Sequence, residues 1–279
     1  MEKAAGMNQE KKRKTRVDKG HPQITRRDED VLLQIGMQTA YRFDQLQSVL
    51  AWHPDSQSTD PTCLSESRTR EIVERWKTLG LVMYQKIRYD EPGWVSLTRK
   101  GLYHFNLSLR FIDPRYSDLD HLFWVNEVRA YIEETYGSRP GFQWESERQY
   151  RTIRERFKAQ LKQELDLWIP YEYQGSHRPD ALLRYRRSEE LDASTVVSAI
   201  EVELSEKDYS TWRRIFLELS SFYTNAHYYV DATVKWSLIH ALEKFQNEEP
   251  MFGELSTEHR QYIYIHDLEE HLYDRESRL

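Results

Sequence analysis

The chain has 279 residues, of which 39% are apolar and 31% are charged. At about 100–200 residues per domain, this length predicts two domains. Aromatic residues make up 13% of the chain, which excludes a wholly disordered protein. No stretch reaches the roughly 18 uninterrupted apolar residues of a membrane helix, and no apolar stretch follows the N-terminal charges as in a secretory signal, so the sequence predicts a cytoplasmic protein without membrane contact. The single cysteine, Cys63, excludes an intramolecular disulfide and a zinc site of paired cysteines.

Charge is distributed unevenly along the chain. Residues 1–27 hold nine basic and three acidic residues, whereas the segment from Leu242 onward holds ten acidic and four basic residues. A basic arm on an acidic protein favours a polyanionic partner for the N-terminal half, and a solubilising tail is the alternative interpretation. The acidic C-terminal segment is a candidate docking element for a protein partner.

The first 115 residues divide into an arm and a small helical domain. Residues 1–23 have no apolar periodicity and predict a disordered basic arm, and residues 24–115 predict a folded domain. Thr25 is placed to cap a first helix, residues 42–51 form a second amphipathic helix, and Ser65 caps a third that ends near Leu79. Alternating apolar residues on both sides of a turn at 90–93 then predict a β-hairpin.

Three helices followed by a two-stranded ribbon predict a winged helix-turn-helix, whose third helix would enter the major groove of double-stranded DNA. The candidate DNA-binding residues lie on the third helix and on the wing: Ser67, Arg68, Arg70, Arg75, Lys77, Lys86 and Arg88. Two alternatives stay open. Such charges are often the solvated face of an amphipathic helix, and winged helices also serve as protein–protein modules. The basic arm directly upstream favours DNA.

The second half predicts a separate α/β domain. Residues 116–140 contain a linking helix, and residues 141–279 alternate strands with helices, which is typical of a sheet flanked by helices. The predicted strands are 142–144, a strand entered at about 181, 195–204, 226–230 and 261–265. Residues 147–163 form a charged segment, and the predicted helices are 206–223 and 232–245.

Carboxylates interrupt one of these apolar strands. Glu201 and Glu203 lie two residues apart in a β-branched run, so they share a face of the strand. Burying carboxylates costs several kcal/mol unless they are paired or bind a metal ion. Asp180, on the neighbouring strand, could complete an oxygen-lined site for Mg²⁺ or Mn²⁺. The alternative is an ion network without metal, with Arg178, Arg184 or Arg186 as the cations.

These residues carry a resemblance to known proteins. Pro179-Asp180, followed about twenty residues later by Glu201-Val202-Glu203 in a strand–strand–helix context, resembles the PD-(D/E)xK nuclease fold. The order of motifs along the chain also resembles the replication-relaxation family of plasmids and mobile elements. The matching stretches are residues 24–28, 97–101, 177–181 and 200–205, within a resemblance that covers about residues 24–230.

The resemblance implies a set of roles. Asp180 and Glu201 would hold the metal ion, which activates water and stabilises charge on the phosphate, and Glu147 matches an additional upstream acid. The position of the family's lysine holds Glu203, which is a departure from the pattern. Lys207, on the predicted helix 206–223, would replace that lysine only if the start of that helix faces the site.

Two functions follow as expectations. The first is a DNA-binding protein of a plasmid or mobile element, with a winged helix for recognition and a restriction-endonuclease-like domain that hydrolyses phosphodiester bonds with a divalent metal. The alternative is a non-catalytic replication or transcription regulator, whose nuclease-like domain is a scaffold for homodimerisation or partner binding. A protein-only adaptor is a third interpretation. No phosphate-binding glycine loop, serine-hydrolase elbow or zinc-protease motif is present in the sequence.

Overall fold

A computed structural model describes residues 23–56, 58–60, 62–161, 171–190, 193–248 and 262–270. Nearly all of the predicted basic arm and much of the acidic C-terminal segment lie outside the described residues. Within these ranges the chain forms a mixed α+β structure, with an N-terminal group of helices on a three-stranded sheet and a second, five-stranded sheet with flanking helices. None of the described helices is long and apolar enough to cross a lipid bilayer.

The N-terminal half contains the three predicted helices and the predicted hairpin. Its elements are α1 (Arg26–Gln38), β1 (Ala40–Arg42), α2 (Phe43–Trp52), α3 (Glu66–Thr78), β2 (Val82–Gln85), β3 (Trp94–Leu97) and α4 (Arg99–His104). The three strands pair antiparallel in the order β1-β3-β2. Strand β1 and helix α4 were not predicted, because three and six residues are too few to show a periodicity.

Local capping explains where the predicted helices begin. The Thr25 hydroxyl accepts a hydrogen bond from the Asp28 amide, and the Asp28 carboxylate accepts one from the Thr25 amide, so the pair forms a capping box. Ser65 caps α3 in the predicted way. The inward faces of the three helices form one apolar core with the small sheet, centred on Leu32, Leu46 and Trp76.

The second half contains the predicted strands and helices with small shifts in their bounds. Its elements are α5 (Leu119–Tyr136), β4 (Gln143–Ser146), α6 (Glu147–Leu161), β5 (Ala181–Arg186), β6 (Thr195–Glu203), α7 (Tyr209–Phe222), β7 (Asn225–Val230), α8 (Ala232–Glu248) and β8 (Tyr262–Asp267). The sheet has the order β4-β5-β6-β7-β8, with β4, β5 and β6 antiparallel and β6, β7 and β8 parallel. The prediction of a mixed sheet with flanking helices is confirmed.

The five-stranded sheet is covered on both faces. Helices α6, α7 and α8 pack on one face, where Trp212 and Phe216 are fully buried. Helix α5 packs on the other face through Val125, Val128 and Ile132. The strands that carry the candidate carboxylates, β5 and β6, are therefore held between two helical layers.

Helix α5 also contacts the N-terminal half. Leu119 packs with Ala40 and Trp94, and the Asn126 side chain donates a hydrogen bond to the Ala40 carbonyl oxygen at 3.0 Å. The Gln38 side-chain amide donates to the side-chain Oδ1 of Asn126 at 3.2 Å. All three of Ala40, Gln38 and Asn126 are buried, so the two halves share a buried polar contact.

Candidate functional site

The three predicted carboxylates lie at the same end of the paired strands β5 and β6. Asp180 lies one position beyond the Ala181–Ile200 pair of β5 and β6, so it faces Glu201 across the two strands. Its Oδ2 accepts a hydrogen bond from the Val202 amide at 2.7 Å. Glu203 lies two residues after Glu201 and shares its face of β6. The antiparallel register therefore brings together residues that are about twenty positions apart in sequence.

Each carboxylate has a cationic or protonatable partner. His177 Nε2 lies 2.7 Å from Glu201 Oε1, and His121 Nε2 lies 3.2 Å from Asp180 Oδ2. Lys207 Nζ donates a hydrogen bond to Glu203 Oε2. Charge pairing is thus present at the site, but through two histidines and a lysine.

The arginines that the sequence offered as partners pair elsewhere. Arg184 pairs with Glu172 at 2.8 Å, and Arg178 Nη1 approaches Glu147 Oε1 at 3.9 Å. The carboxylates of the site are therefore neutralised by side chains that come from other elements than the arginine-rich strand β5.

Burial sets the protonation of the Glu201 pair. Glu201 is 8% exposed, and this burial raises the pKa of its carboxyl group, while His177 acts in the opposite direction. Burial lowers the pKa of His177, but the carboxylates of Glu201, Asp180 and Glu218 together outweigh that effect, and the net pKa is raised. The pair therefore keeps a proton at a higher pH than either group alone.

The pKa of His121 is also raised. Burial alone would lower the pKa of this imidazole, but the Asp180 carboxylate, through its charge and its hydrogen bond, raises the pKa to about 9. His121 is therefore protonated at neutral pH, and its positive charge lies next to the Asp180 carboxylate. No sequence signal predicted this contact, because His121 comes from α5 and reaches Asp180 only through tertiary packing.

Lys207 faces the site, which was the condition for its proposed role. It lies just before α7, not on the helix as was predicted, because Asp208 is the N-cap and the helix begins at Tyr209. Its Nζ lies 4.9 Å from the centre of the Trp212 ring. Partial burial lowers its pKa, and the carboxylates of Glu201 and Asp180 partly oppose that shift. The ammonium group is thus within electrostatic range of both acids.

Tyr228 adds a buried hydroxyl group to this site. It faces Glu201 in the parallel pairing of β6 and β7, it is 1% exposed, and its hydroxyl has no hydrogen-bond partner among the described residues. Burial raises its pKa well above 10, and the charges of Glu201 and Asp180 add to the shift. A buried polar atom without a partner is uncommon and often marks a place for water, an ion or a ligand.

Glu147 is the first residue of α6 and lies next to Asp180. Its amide donates a hydrogen bond to the Asp180 carbonyl oxygen at 2.8 Å, and its carboxylate is half-exposed. Both residues line a cavity of about 400 Å³. The predicted upstream acid is therefore close to the site.

The arrangement offers two opposed carboxylates as metal ligands. Within the described ranges, no group of three or more His, Cys, Asp or Glu side chains is arranged to hold a metal ion. Carboxylate oxygens are nevertheless the donors that Mg²⁺ and Mn²⁺ prefer, and Mg²⁺ is commonly bound through one or two protein carboxylates together with water and phosphate oxygens. Asp180 and Glu201 fit that chemistry as a pair.

The chain matches no protein-family model, no curated protein and no solved structure. The resemblance to the replication-relaxation family and to the PD-(D/E)xK fold therefore stays a prediction.

The candidate DNA-binding residues of α3 lie largely on its exposed face, where they alternate with acids. Arg68 pairs with Glu71 at 2.7 Å, and Lys77 pairs with Glu74 at 2.6 Å. Arg70 pairs with Glu66, and Ser67 is exposed. These pairs are solvent-exposed, and such pairs contribute only about 0–1 kcal/mol, so a phosphate group could replace the glutamates.

Arg75 differs from its neighbours on α3. It pairs at 2.6 Å with Asp28, a fully buried carboxylate of α1. An arginine that neutralises a buried acid is held in place by the fold, because leaving the acid unpaired would be costly. Arg75 is therefore an internal support of the N-terminal half.

The two wing candidates also have different environments. Lys86 is exposed and lies 5.7 Å from the ring of Tyr89, which is 94% exposed. Arg88 is only 14% exposed and pairs with both Glu91 and Asp120 of α5. Lys86 is thus available to a partner, whereas Arg88 attaches the hairpin to α5.

Proposed function

We propose that the chain binds double-stranded DNA through its N-terminal half and hydrolyses a phosphodiester bond at the site of Asp180, Glu201 and Lys207. The observation that carries this proposal is the pairing of Asp180 opposite Glu201 with Lys207 beside them. It occurs in the order β5-β6-α7, which is the strand–strand–helix context that the sequence resemblance implies.

In this proposal Asp180 and Glu201 hold a divalent cation, Mg²⁺ or Mn²⁺. When bound, such an ion supplies an activated water and stabilises the charge that builds on the phosphate. Lys207 places an ammonium group near the phosphate, and Glu203 orients Lys207 through its hydrogen bond. The Tyr228 hydroxyl, which has no hydrogen-bond partner among the described residues and belongs to the residue paired with Glu201, is free to donate to water or a ligand bound there.

His121 and His177 compete with a cation for the same oxygens. Both imidazoles contact a carboxylate oxygen of the proposed metal ligands. A protonated imidazole at that position occupies the oxygen and repels a second positive charge. Metal binding is therefore favoured as the pH rises and the histidines lose their protons.

The N-terminal half supports the DNA-binding part of the proposal. The order α1-β1-α2-α3-β2-β3, with its three-stranded antiparallel sheet, is consistent with a winged helix-turn-helix in which α3 reads the major groove. The setting implied by the resemblance is a plasmid or mobile element, and a second copy of the chain is a candidate partner because winged-helix regulators often bind palindromes as dimers.

The decisive experiment is a nicking assay on supercoiled plasmid with Mg²⁺ or Mn²⁺. The wild type is expected to nick or linearise the plasmid, and the Asp180→Asn/Glu201→Gln variant is expected to be inactive because it lacks both anionic ligands. Glu243→Gln, which removes an exposed charge from α8, is the matched control and should remain active. Cleavage that persists in the double variant would contradict the assignment of these residues.

A second function is favoured because Asp180, Glu201 and Glu203 each already contact a histidine or a lysine. Because each acid already has a partner, and because the described residues hold no group of three metal ligands, the second half could act as a scaffold in a non-catalytic replication or transcription regulator. That alternative predicts a shift of DNA in an electrophoretic assay without cleavage by the wild type, unchanged in the Asp180→Asn/Glu201→Gln variant.

A further inference from the structure

A cavity of about 400 Å³ lies between the two halves of the chain. Its lining comes from the end of α1, from the connection into α5 and the first half of that helix, from the end of β4 and the start of α6, and from the segment before β5 that includes Asp180. Four arginines contribute to the lining: Arg115, Arg148, Arg151 and Arg178. A concave site between two halves of a protein is a common place for a small ligand, and this volume falls in the roughly 300–1,000 Å³ range of such sites.

Arg148 is the unusual member of this group. It is 6% exposed, and its guanidinium donates hydrogen bonds only to the carbonyl oxygens of Gly36 and Arg110. Its Nε atom is buried without a hydrogen-bond partner. Burial lowers the pKa of Arg148 to about 10, and the positive charge of Arg151 acts in the same direction. A buried cation without an anionic partner is unfavourable, so an anion bound beside Arg148 would be stabilising.

The charges of the other residues that line the cavity also favour a bound anion. Three cations of the cavity have an acid nearby: Arg115 pairs with Asp118 at 3.0 Å, Arg178 lies 3.9 Å from Glu147, and His121 lies 3.2 Å from Asp180. In the part of the chain that the structure describes, neither Arg148 nor Arg151 has a carboxylate partner. Two uncompensated guanidinium groups remain, which matches the charge of a phosphate dianion.

The start of α6 adds to the positive potential. This helix has 15 residues, and Arg148 lies in its first turn beside the cavity. The N-terminal end of a helix carries a partial positive charge that favours phosphate groups. The guanidinium group of Arg151, which also lines the cavity, can bind a phosphate through two parallel hydrogen bonds.

We propose that this cavity binds a phosphate group between the two halves, with Arg148 and Arg151 as its main contacts. The cavity is larger than a tetrahedral anion needs, which leaves room for an attached sugar or base. The phosphate can come from a small phosphate compound or from the backbone of a nucleic acid. The proposal goes beyond cleavage, because phosphate binding needs neither a metal ion nor a reaction at Asp180.

The test uses the full chain and inorganic phosphate. Thermal unfolding is followed at increasing phosphate concentration, with chloride at equal ionic strength as the reference, and the rise of the midpoint gives an apparent Kd. Arg151→Gln is expected to bind phosphate about tenfold to a hundredfold more weakly, because it loses a charge-assisted hydrogen bond. Arg187→Gln removes the same charge from an exposed turn outside the cavity lining and should match the wild type.

A short single-stranded oligonucleotide then separates the two sources of phosphate. If Arg151→Gln and added inorganic phosphate both weaken oligonucleotide binding, the phosphate belongs to a nucleic acid. If inorganic phosphate binds as expected and the oligonucleotide is unaffected, the ligand is a small phosphate compound. The proposal is overturned if phosphate stabilises the wild type no more than chloride does, or if Arg151→Gln and Arg187→Gln respond alike. Neither result depends on the nicking assay, so the two proposals fail separately.

Discussion

His121, His177 and Lys207 each neutralise a different carboxylate at the same end of the paired strands β5 and β6. The three contacts differ in how they respond to pH. An imidazole becomes neutral once the pH exceeds its pKa, and its carboxylate is then no longer neutralised, whereas Lys207 is a cation whose pKa is lowered by partial burial. The site is thus a set of acids whose availability to an external cation increases with pH.

The pKa of another histidine, His227 of β7, is shifted in the opposite direction. His227 stacks on Tyr264 with ring centres 4.8 Å apart, and its Nδ1 lies 3.1 Å from His266 Nε2. Burial lowers the pKa of His227 from 6.5 to about 4. The folded protein therefore keeps this imidazole neutral at a pH where the unfolded chain binds a proton.

This difference predicts a loss of stability in acid. Above pH 6.5 His227 is neutral in both states, and as the pH falls from 6.5 toward 4 only the unfolded chain gains the proton. The free energy of unfolding should fall over that interval, by on the order of 3 kcal/mol at most from this residue. Urea unfolding at a series of pH values measures the effect.

The matched comparison for this prediction is His227→Phe, which keeps an aromatic ring for stacking but has no proton to gain. Its stability should fall less steeply between pH 6.5 and 4 than that of the wild type. His104→Gln, which removes an exposed histidine from α4, should keep the wild-type slope. Equal slopes for the wild type and His227→Phe would refute the assignment.

At the scale of elements, the helices and strands that could be predicted are those whose apolar residues recur at a regular spacing in the sequence. Helix α3 was predicted because Ile72, Val73 and Trp76 recur at helical spacing, and all three are buried. Strand β6 was predicted from its β-branched run, and its carboxylates stood out because acids are rare in such a strand. Glu201 and Asp180 could therefore be named from the sequence.

The remaining site residues could not be named in this way. His121 lies in α5 and Tyr228 lies in β7. Both are close to the carboxylates only because elements that are distant in sequence pack together. A histidine in an amphipathic helix and a tyrosine in a strand carry no local signal of a site. Likewise, the internal ion pairs of Arg75 and Arg88 depend on Asp28 and Asp120, which belong to other elements.

The difference between exposed and internal arginines leads to a prediction for α3. Arg68→Gln combined with Arg70→Gln should weaken DNA binding and reduce the slope of log K against log salt by about 2, because each lost phosphate contact reduces it by about 1. Their partners, Glu71 and Glu66, are exposed, so the fold should be unaffected. Binding is measured by fluorescence anisotropy at several salt concentrations, with Arg187→Gln as the control.

The same experiment distinguishes DNA binding from an adaptor role. If the chain binds no DNA, or binds it with the same salt slope after both substitutions, α3 does not contact phosphate and a protein partner becomes the better interpretation of its charged face. Arg75→Gln is not a suitable probe, because it leaves the buried Asp28 carboxylate without its strongest partner and destabilises the fold.

At the scale of the whole molecule, the halves are connected by more than the chain. Trp144 of β4 donates a hydrogen bond to Gln38 of α1 at 3.2 Å, and the Ser146 hydroxyl donates to the Met37 carbonyl oxygen at 2.6 Å. The buried contacts of Asn126 lie in the same interface. Domains joined by a buried polar network are expected to hold a fixed relative orientation, which a cavity shared by both halves requires.

This connection predicts cooperative unfolding of the two halves. Asn126 bonds to the Ala40 carbonyl oxygen, Gln38 and Gln45, and Asn126→Ala removes all three hydrogen bonds. A buried group that loses its partner in this way costs about 1–3 kcal/mol. Scanning calorimetry of the wild type should show one transition, and Asn126→Ala should lower its midpoint and separate it into two. Glu134→Ala, an exposed substitution on the same helix, should leave the single transition in place. Two transitions already present in the wild type would mean that the halves unfold independently and that this interface does not couple them.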